Sequence, residues 1–535
     1  MSRHREALSR ILPEVCIFPS GIENEGRTGY TMRNGNCERL CRAMAVLTRR
    51  KTLTTVLWAA VTALLLVTFG YLCFGNLGQF HIADFDEAIF GVNAYEMIQN
   101  NDYLIHTYKG EIDLANTKPP LSFWLISLAY RMFGYNAFAL RFFAALSTLA
   151  AAILIGLFAM RYYSRWAMPL ILLIFAANSI LYGNHFTRFG DADSQYQLFF
   201  TLSMLCLLMS QKKFAWLYGS GLFFSLAFME KSAHAFVIPV VCFIALLCTG
   251  RLRELTWKRA LLLLASGLTI ILAWLIARVA RNGFAFFTNS LDQDIVSRIG
   301  DNAEPLFANQ NVVFYNFLAV FGKPTTFLCL LLCVGCAAVI WKKNIQLSPF
   351  TQHAVIATLA WLLAPILFYT LANVKFRWYV YSGLLALPAL TAILLFTVLK
   401  SGVLKKTRIA VLSVFCALLL VMTAVNGVYI AGIHFDHTMQ GFIQEAMDRD
   451  LDGGKHAYIL YAEDGYNRWM PADILTAQFY GDLICKDGGL EGFRADEEPS
   501  LLIIARTNNE ELIEELLGEE AEFYSNYYCV ALEKY

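Results

Sequence analysis

The chain has 535 residues, of which 57% are hydrophobic, 16% charged and 14% aromatic, and its formal net charge is +1. So apolar a composition excludes an ordinary soluble globular protein and points to a polytopic membrane protein. The balanced charge lacks the basic excess that a nucleic-acid face requires, so no nucleic-acid partner is expected.

Residues 1–51 are polar and Arg-bearing, with no apolar run long enough for a signal peptide or a span, and are expected to be a disordered cytoplasmic segment. Met32 and Met44 are alternative starts, and "MAVLTRRK" would make a short basic lead-in. From Leu53 onward, apolar stretches near the ~20 residues that a bilayer core requires recur with short breaks. About eleven transmembrane helices are expected, at 52–74, 138–160, 166–183, 195–210, 215–229, 234–249, 260–278, 323–341, 353–372, 378–399 and 408–431. The predicted fold is an all-α polytopic membrane domain over 52–432, with a long outer loop at 75–137.

Basic residues set the orientation. "TRRK" (48–51), Arg161 and Arg165, "QKK" (211–213), "RLRELTWKR" (251–259), "KK" (342–343) and "KSGVLKKTR" (400–408) fall in alternate loops, which the positive-inside rule puts in the cytoplasm. The other loops, 75–137, 184–194, 230–233, 279–322 and 373–377, and everything after 432 then face outward. The tail 433–535 changes character. "HAYILYA", "SLLIIAR" and "YYCVALEKY" read as strands, and "ADILTAQFYG" and "NEELIEELL" as helices, which predicts a small extracytoplasmic α/β domain. No motif in it ties to group transfer, so it is expected to guide an acceptor or pack against the first outer loop. Of the thirteen cysteines, the trio Cys329, Cys333 and Cys336 lies in an apolar run and reads as packing, whereas Cys485 and Cys529 would pair if their Cβ atoms met.

Five stretches could carry chemistry. In "HIADFDEAIFGVNAYEM", Asp84 and Glu87 resemble a capping box, and Phe90, Ala94 and Met97 recur as on an amphipathic helix at the interface, which leaves Asp86 without a required partner. In "NTKPPLSFW", Lys118 precedes a rigid Pro-Pro corner; it is either a snorkelling lysine or one held to meet an anion. "HFTRFGDADSQYQLFF" gathers His185, Arg188, Asp191 and Asp193 in a loop too short to need them for solvation alone. A divalent metal ion is the one cofactor that His185, Asp191 and Asp193 suggest, although two aspartates make a weak signature. Glu230 and Lys231 in "FMEKSAHAF", and Lys375 and Arg377 in "NVKFRWY", interrupt apolar runs, where ionisable groups face either a cavity or an ion-pair partner. All five lie on the same predicted face. Carboxylates among several cations suit transfer of a group away from a phosphate: cations hold the anion while a carboxylate takes the acceptor's proton.

The run "DEAIFGVNAYEMIQNNDYL", "KPPLSFWLISLAYRMFGYNAFALRFFAAL" and "RFGDADSQYQLFF" resembles the GT-C glycosyltransferases of the family 39-like group, which includes protein O-mannosyltransferases and lipid A aminoarabinose transferases. The resemblance covers most of 80–240 and reaches more loosely to "KFRWY". It implies that Asp86, of the pair Asp86 and Glu87, is the catalytic acid acting as general base, that Asp193 supports the site, and that Lys118, Lys231 and Arg377 neighbour a donor phosphate; Glu87 is a further catalytic candidate, and Arg188 and Lys375 are further candidates for holding the phosphate. After "KFRWY" the chain reads "VYSG" where the family has proline, which weakens the assignment of Lys375 and Arg377, and Asp191 is an extra acid beside Asp193. The expected activity is transfer of a sugar from a polyprenyl-phosphate donor to an extracytoplasmic lipid, glycan or protein acceptor, most simply with inversion. The rival reading is a transporter or lipid-linked-sugar flippase, which would show paired repeats and polar groups near the membrane midplane.

Overall fold

The computed structural model describes residues 34–291, 320–370, 376–403, 407–447, 454–461, 467–518 and 520–534. The remainder of the N-terminal segment expected to be disordered, 1–33, lies outside the described residues, whereas the chain from Asn34 is already helical. In chain order the helices of the first part are α1 (Asn34–Phe74), α2 (Asp86–Gln99), α3 (Leu121–Phe133), α4 (Ala137–Tyr162), α5 (Ala167–Ala177), α6 (Asp193–Ser210), α7 (Trp216–Lys231), α8 (Val237–Cys248) and α9 (Trp257–Asn282). They continue as α10 (Ala285–Leu291), α11 (Pro324–Lys342), α12 (Pro349–Thr370), α13 (Ala386–Ser401) and α14 (Thr407–Ala431).

Each expected apolar stretch falls mainly on helix where its residues are described. Among the described residues, eight segments are long and apolar enough to cross a membrane by length and composition. The stretch 166–183 is a shorter buried helix, α5, with a 3₁₀ turn after it. Trp216–Cys248 forms one apolar segment, but the chain reverses within it, at Ser232 with φ +40. Ser220 on α7 and Cys242 on α8 then meet at 3.5 Å, and Arg251, beyond α8, donates to Ser210 O at the end of α6. Several hydroxyls inside these helices bond back to the carbonyl four residues earlier, as Thr358 does to Ala354 and Thr391 to Leu387, which satisfies those donors within the apolar interior. The cysteine trio packs as expected, with Cys333 against Thr391 of α13.

The tail contributes α15 (Thr438–Met447), β3 (His456–Leu460), α16 (Pro471–Gly481), β4 (Ile484–Cys485), α17 (Gly489–Ala495), β5 (Ser500–Ala505), α18 (Glu510–Leu516), β6 (Ala521–Ser525) and β7 (Cys529–Lys534). Strands β1 (Thr107–Tyr108) and β2 (Glu111–Ile112) form a separate hairpin between α2 and α3. The five-stranded sheet runs β4-β3-β5-β7-β6, with β3 parallel to both β4 and β5, and β7 antiparallel to β5 and β6. Alternation along the strands makes two apolar faces. Tyr458, Leu502, Ile504, Val530 and Leu532 pack under Phe493 of α17 and Ile513 of α18. Ala457, Ile459, Leu501 and Ile503 join Ile443 of α15 and Leu475 of α16, and that same cluster holds Phe90, Ala94 and Met97 of α2.

Two expectations are therefore corrected. Helix α2 does not lie with its apolar stripe on the membrane interface: Phe90, Ala94 and Met97 are buried beneath the tail, because α15 and α16 supply a protein surface for them. Gly91 leaves room for the Leu475 side chain of α16, which a Cβ there would displace. Cys485 and Cys529 are free and buried; β3 and β5 stand between their strands, and three inter-strand steps of ~4.8 Å put them beyond bridging distance.

Candidate active site

The acids of the opening motif have three different fates. Glu87 is fully buried in a bidentate pair with Arg141 of α4, at 2.7 Å from Nε and 2.8 Å from Nη2. It also accepts from the backbone N–H groups of Ala83 and Gly190, at 2.9 and 2.8 Å. Arg141 spends its remaining donors on the carbonyls of Leu77, Phe80 and His81. Glu87, the other member of the pair with Asp86, is a tie joining the 77–83 stretch, α4 and the 184–192 loop, its lone pairs already occupied. Asp84 does not cap α2, whose N-cap is Phe85 at φ +64 with no side-chain cap bond. Its Oδ1 accepts from Ala472 N in the first turn of α16, at 3.1 Å. Asp86, the first residue of α2, keeps a side chain 61% exposed and lines a cavity of about 780 Å³.

The cavity also takes in Lys118, His185, Asp191, Asp193, Lys231, Phe376, Trp378 and Tyr379, so it gathers residues from four of the five stretches singled out above and the aromatics of the fifth. Lys118 stands on a corner held from behind. Its N–H donates to Asn116 Oδ1 at 3.3 Å, Asn116 donates to Asn93 of α2 at 2.8 Å, and Asn93 donates to Asp113 at 3.1 Å. The Pro-Pro pair then opens α3, where Ser122 donates to the buried Glu230 of α7. Glu230 thereby links the Lys118 corner to the end of α7 that carries Lys231. Lys231 forms an ion pair across the helices with Asp193 at the start of α6.

His185 sits at φ +60, a left-handed conformation that turns the chain sharply and aims the imidazole at the acids. Its Nδ1 lies 2.6 Å from Asp191, 3.6 Å from Asp193 and 4.0 Å from Asp86. The ring stacks on Trp378 at 4.0 Å between centroids, and Phe376 stacks on Trp378's other face at 4.5 Å. Burial opposes charge on this imidazole, but the adjoining Asp191 and Asp193 outweigh it and raise its pKa to about 10, so His185 is an imidazolium at neutral pH. Burial pushes the Asp191 carboxyl up to about 7, with Asp193 adding and His185 opposing. Asp193 is held below the usual carboxylate range: burial would raise it, and the Lys231 charge prevails.

The remaining expected residues lie elsewhere. Arg188 is buried, but it donates to the carbonyls of Gly75 and Asn76 at 2.8 and 2.9 Å, closing the exit of α1, and it does not line the cavity. Arg377 is exposed, with its neighbours Phe376 and Trp378 facing the cavity in its place. Lys375 lies outside the described residues. Sequence reasoning missed Arg141, Asn93 and Asn116, and it weighed "KFRWY" for its cations when its aromatics form the wall. His185, Asp191 and Asp193 could present three ligand atoms within 4.8 Å of one another. Metal entry would require Lys231 to release Asp193 and His185 to present a neutral ring nitrogen in place of its contact with Asp191.

A family model for dolichyl-phosphate-mannose-protein mannosyltransferases matches residues 117–278. An undecaprenyl phosphate-alpha-4-amino-4-deoxy-L-arabinose arabinosyl transferase of Aeromonas hydrophila is 26% identical over 325 residues, 59% of this chain and 56% of that one. An uncharacterized protein of Aquifex aeolicus is 32% identical over 189 residues, 34% of this chain. These alignments take in 56% and 37% of the relatives' own lengths. The crystal structure of ArnT from Cupriavidus metallidurans bound to undecaprenyl phosphate superposes with a TM-score of 0.63 at 15% identity, covering 90% of this chain and 98% of that one. The apolar helices, helix α2 and the terminal sheet thus define a multi-pass membrane protein of the GT-C fold. Within that class, the chain is similar over 117–278 to dolichyl-phosphate-mannose-protein mannosyltransferases and, over 59% of its length, to an aminoarabinose transferase.

Proposed function

We propose that this protein is a glycosyltransferase that moves a sugar from a polyprenyl-phosphate carrier to a hydroxyl-bearing lipid, glycan or protein on the extracytoplasmic side of the membrane. The observation that carries the reading is the placement of Asp86 in one cavity with Lys118 and Lys231. In the reaction, the acceptor oxygen attacks the anomeric carbon as the bond from that carbon to the phosphate oxygen breaks. Asp86 takes the acceptor's proton, and the electron pair leaves with the polyprenyl phosphate. Lys118 and Lys231 stabilise the departing anion, and His185 adds positive charge close to Asp86 without supplying a second nucleophile. One displacement at the anomeric carbon inverts its configuration.

The outward assignment rests on the basic loops, since Arg251 and the loop after Lys342 lie at the helix ends remote from Asp193 and Lys231. Gathering of the ionisable groups at one end of the bundle favours transfer over transport, which places its polar site near the midplane. The relatives named as undecaprenyl phosphate-dependent transferases support the same donor class. Purified protein in liposomes, given a labelled undecaprenyl-phosphate sugar, is expected to release undecaprenyl phosphate and pass the label to an acceptor. Movement of the intact donor between leaflets without cleavage would support the flippase instead.

A further inference from the structure

The strap His81–Phe85 that delivers Asp86 to the cavity is held largely by the tail of the chain. Gln440 on α15 accepts from Ile82 N at 2.8 Å and donates to Ile82 O at 2.9 Å, engaging both backbone groups as a neighbouring strand would. Gln440 and Ile82 are 1% and 4% exposed, so water cannot substitute for either bond. Two residues further on, Ala472 N of α16 holds the Asp84 carboxylate. On the strap's other side, Arg141 donates to His81 O and Glu87 accepts from Ala83 N. Phe85 then adopts φ +64 and ψ −114 with its ring 70% exposed. Such a conformation costs a non-glycine residue roughly 1–3 kcal/mol and persists only where its surroundings impose it. Its own side chain packs too little to do so, which leaves the anchors on either side.

The geometry points to Gln440 as a positioning residue for Asp86, and so to the tail as part of the catalytic apparatus and not only a guide for the acceptor. This rests on Asp86 being the base. Releasing Ile82 lets the strap relax from the strained turn and moves the carboxylate away from the acceptor oxygen, while Lys118 and Lys231, which hang on other elements, keep their grip on the donor phosphate.

A double-mutant cycle on the full-length protein in nanodiscs tests it, with labelled undecaprenyl-phosphate sugars for turnover and undecaprenyl phosphate alone for carrier binding. Gln440→Ala is expected to lower turnover by about 10- to 100-fold, the cost of an ångström-scale misplacement, with carrier binding unchanged. In an Asp86→Asn background the same substitution is expected to cost nothing further, since the group it positions is gone. Equal losses in both backgrounds, or no loss in the parental one, would overturn the inference while leaving the base assignment standing. Parental turnover that survives Asp86→Asn overturns the assignment and the inference together. If Gln440→Ala does not fold, Gln440→Glu carries the test. Protonated, its carboxyl can both accept from and donate to Ile82; ionised, it only accepts. Its turnover relative to the parental protein should therefore rise as the pH falls from about 8 to about 5, and a flat ratio would overturn the proposal.

Discussion

Adjacent residues, Glu87 and Asp86, feed two charged centres with opposite properties. In the closed centre, Glu87 and Arg141 are both fully buried, and their polar atoms are matched to each other and to the backbone of two segments, 77–83 and Gly190. In the open centre, Asp86, His185, Asp191, Asp193 and Lys231 border a cavity, share too few protons among too many carboxylates, and leave Asp86 more than half exposed. The pairing of acid with base is the same chemistry in both. What separates a tie from a reactive site is saturation: a carboxylate whose lone pairs are all engaged cannot accept an acceptor's proton, whereas Asp86 can.

This contrast can be broken by substitution. The largest expected loss of stability comes from Arg141→Ala, which strands a buried carboxylate and should cost on the order of 3–5 kcal/mol. Thermal melting in detergent should show that loss, and none after Asp86→Asn; a similar drop for both would erase the distinction between the centres. The open centre should instead respond to pH. Because His185 is raised from 6.5 to about 10, the stability it contributes is fully present below about pH 6.5 and lost as the pH rises through about 10. His185→Gln should flatten that alkaline decline in melting temperature, and an unchanged slope would mean the imidazolium is not the group responsible.

Smaller effects sharpen the picture. Since Lys231 and His185 already pair with Asp193 and Asp191, a chelator should leave turnover close to parental, and a complete loss restored by a divalent ion would show that the cations give way to metal. Smallest of all is Asp84→Asn, which keeps the oxygen that receives Ala472 N. Melting temperature and turnover should both stay close to parental, because an asparagine caps a helix start about as well as an aspartate.

Much of this architecture was legible before any coordinates. Apolar length located the helices, strand alternation located β3, β5 and β7, and the crowding of Asp86, Lys118, His185, Asp193 and Lys231 at loop positions marked the cavity. Spacing, however, reports which residues are near in sequence and not where their side chains point. Asp84 and Glu87 have the offset of a capping box, yet the strained turn at Phe85 sends Asp84 to α16 and leaves Glu87 to Arg141. Arg141 was hidden inside the apolar run 138–160, where a single cation barely alters hydropathy. Arg188 stood in a promising loop but was committed to the end of α1. Gln440, a lone amide in the tail, carried no local signal at all, because its partner lies 358 residues away.

Donor binding and single-turnover transfer, measured side by side for the parental protein and Asp86→Asn in nanodiscs, test the central claim most directly. With a labelled undecaprenyl-phosphate sugar bound to equal occupancy and acceptor then added, the variant should transfer more slowly by about 10²- to 10⁴-fold, the usual contribution of a general base. Transfer by Asp86→Asn at the parental rate would contradict the account, and would make Asp86 no more than the first residue of its helix.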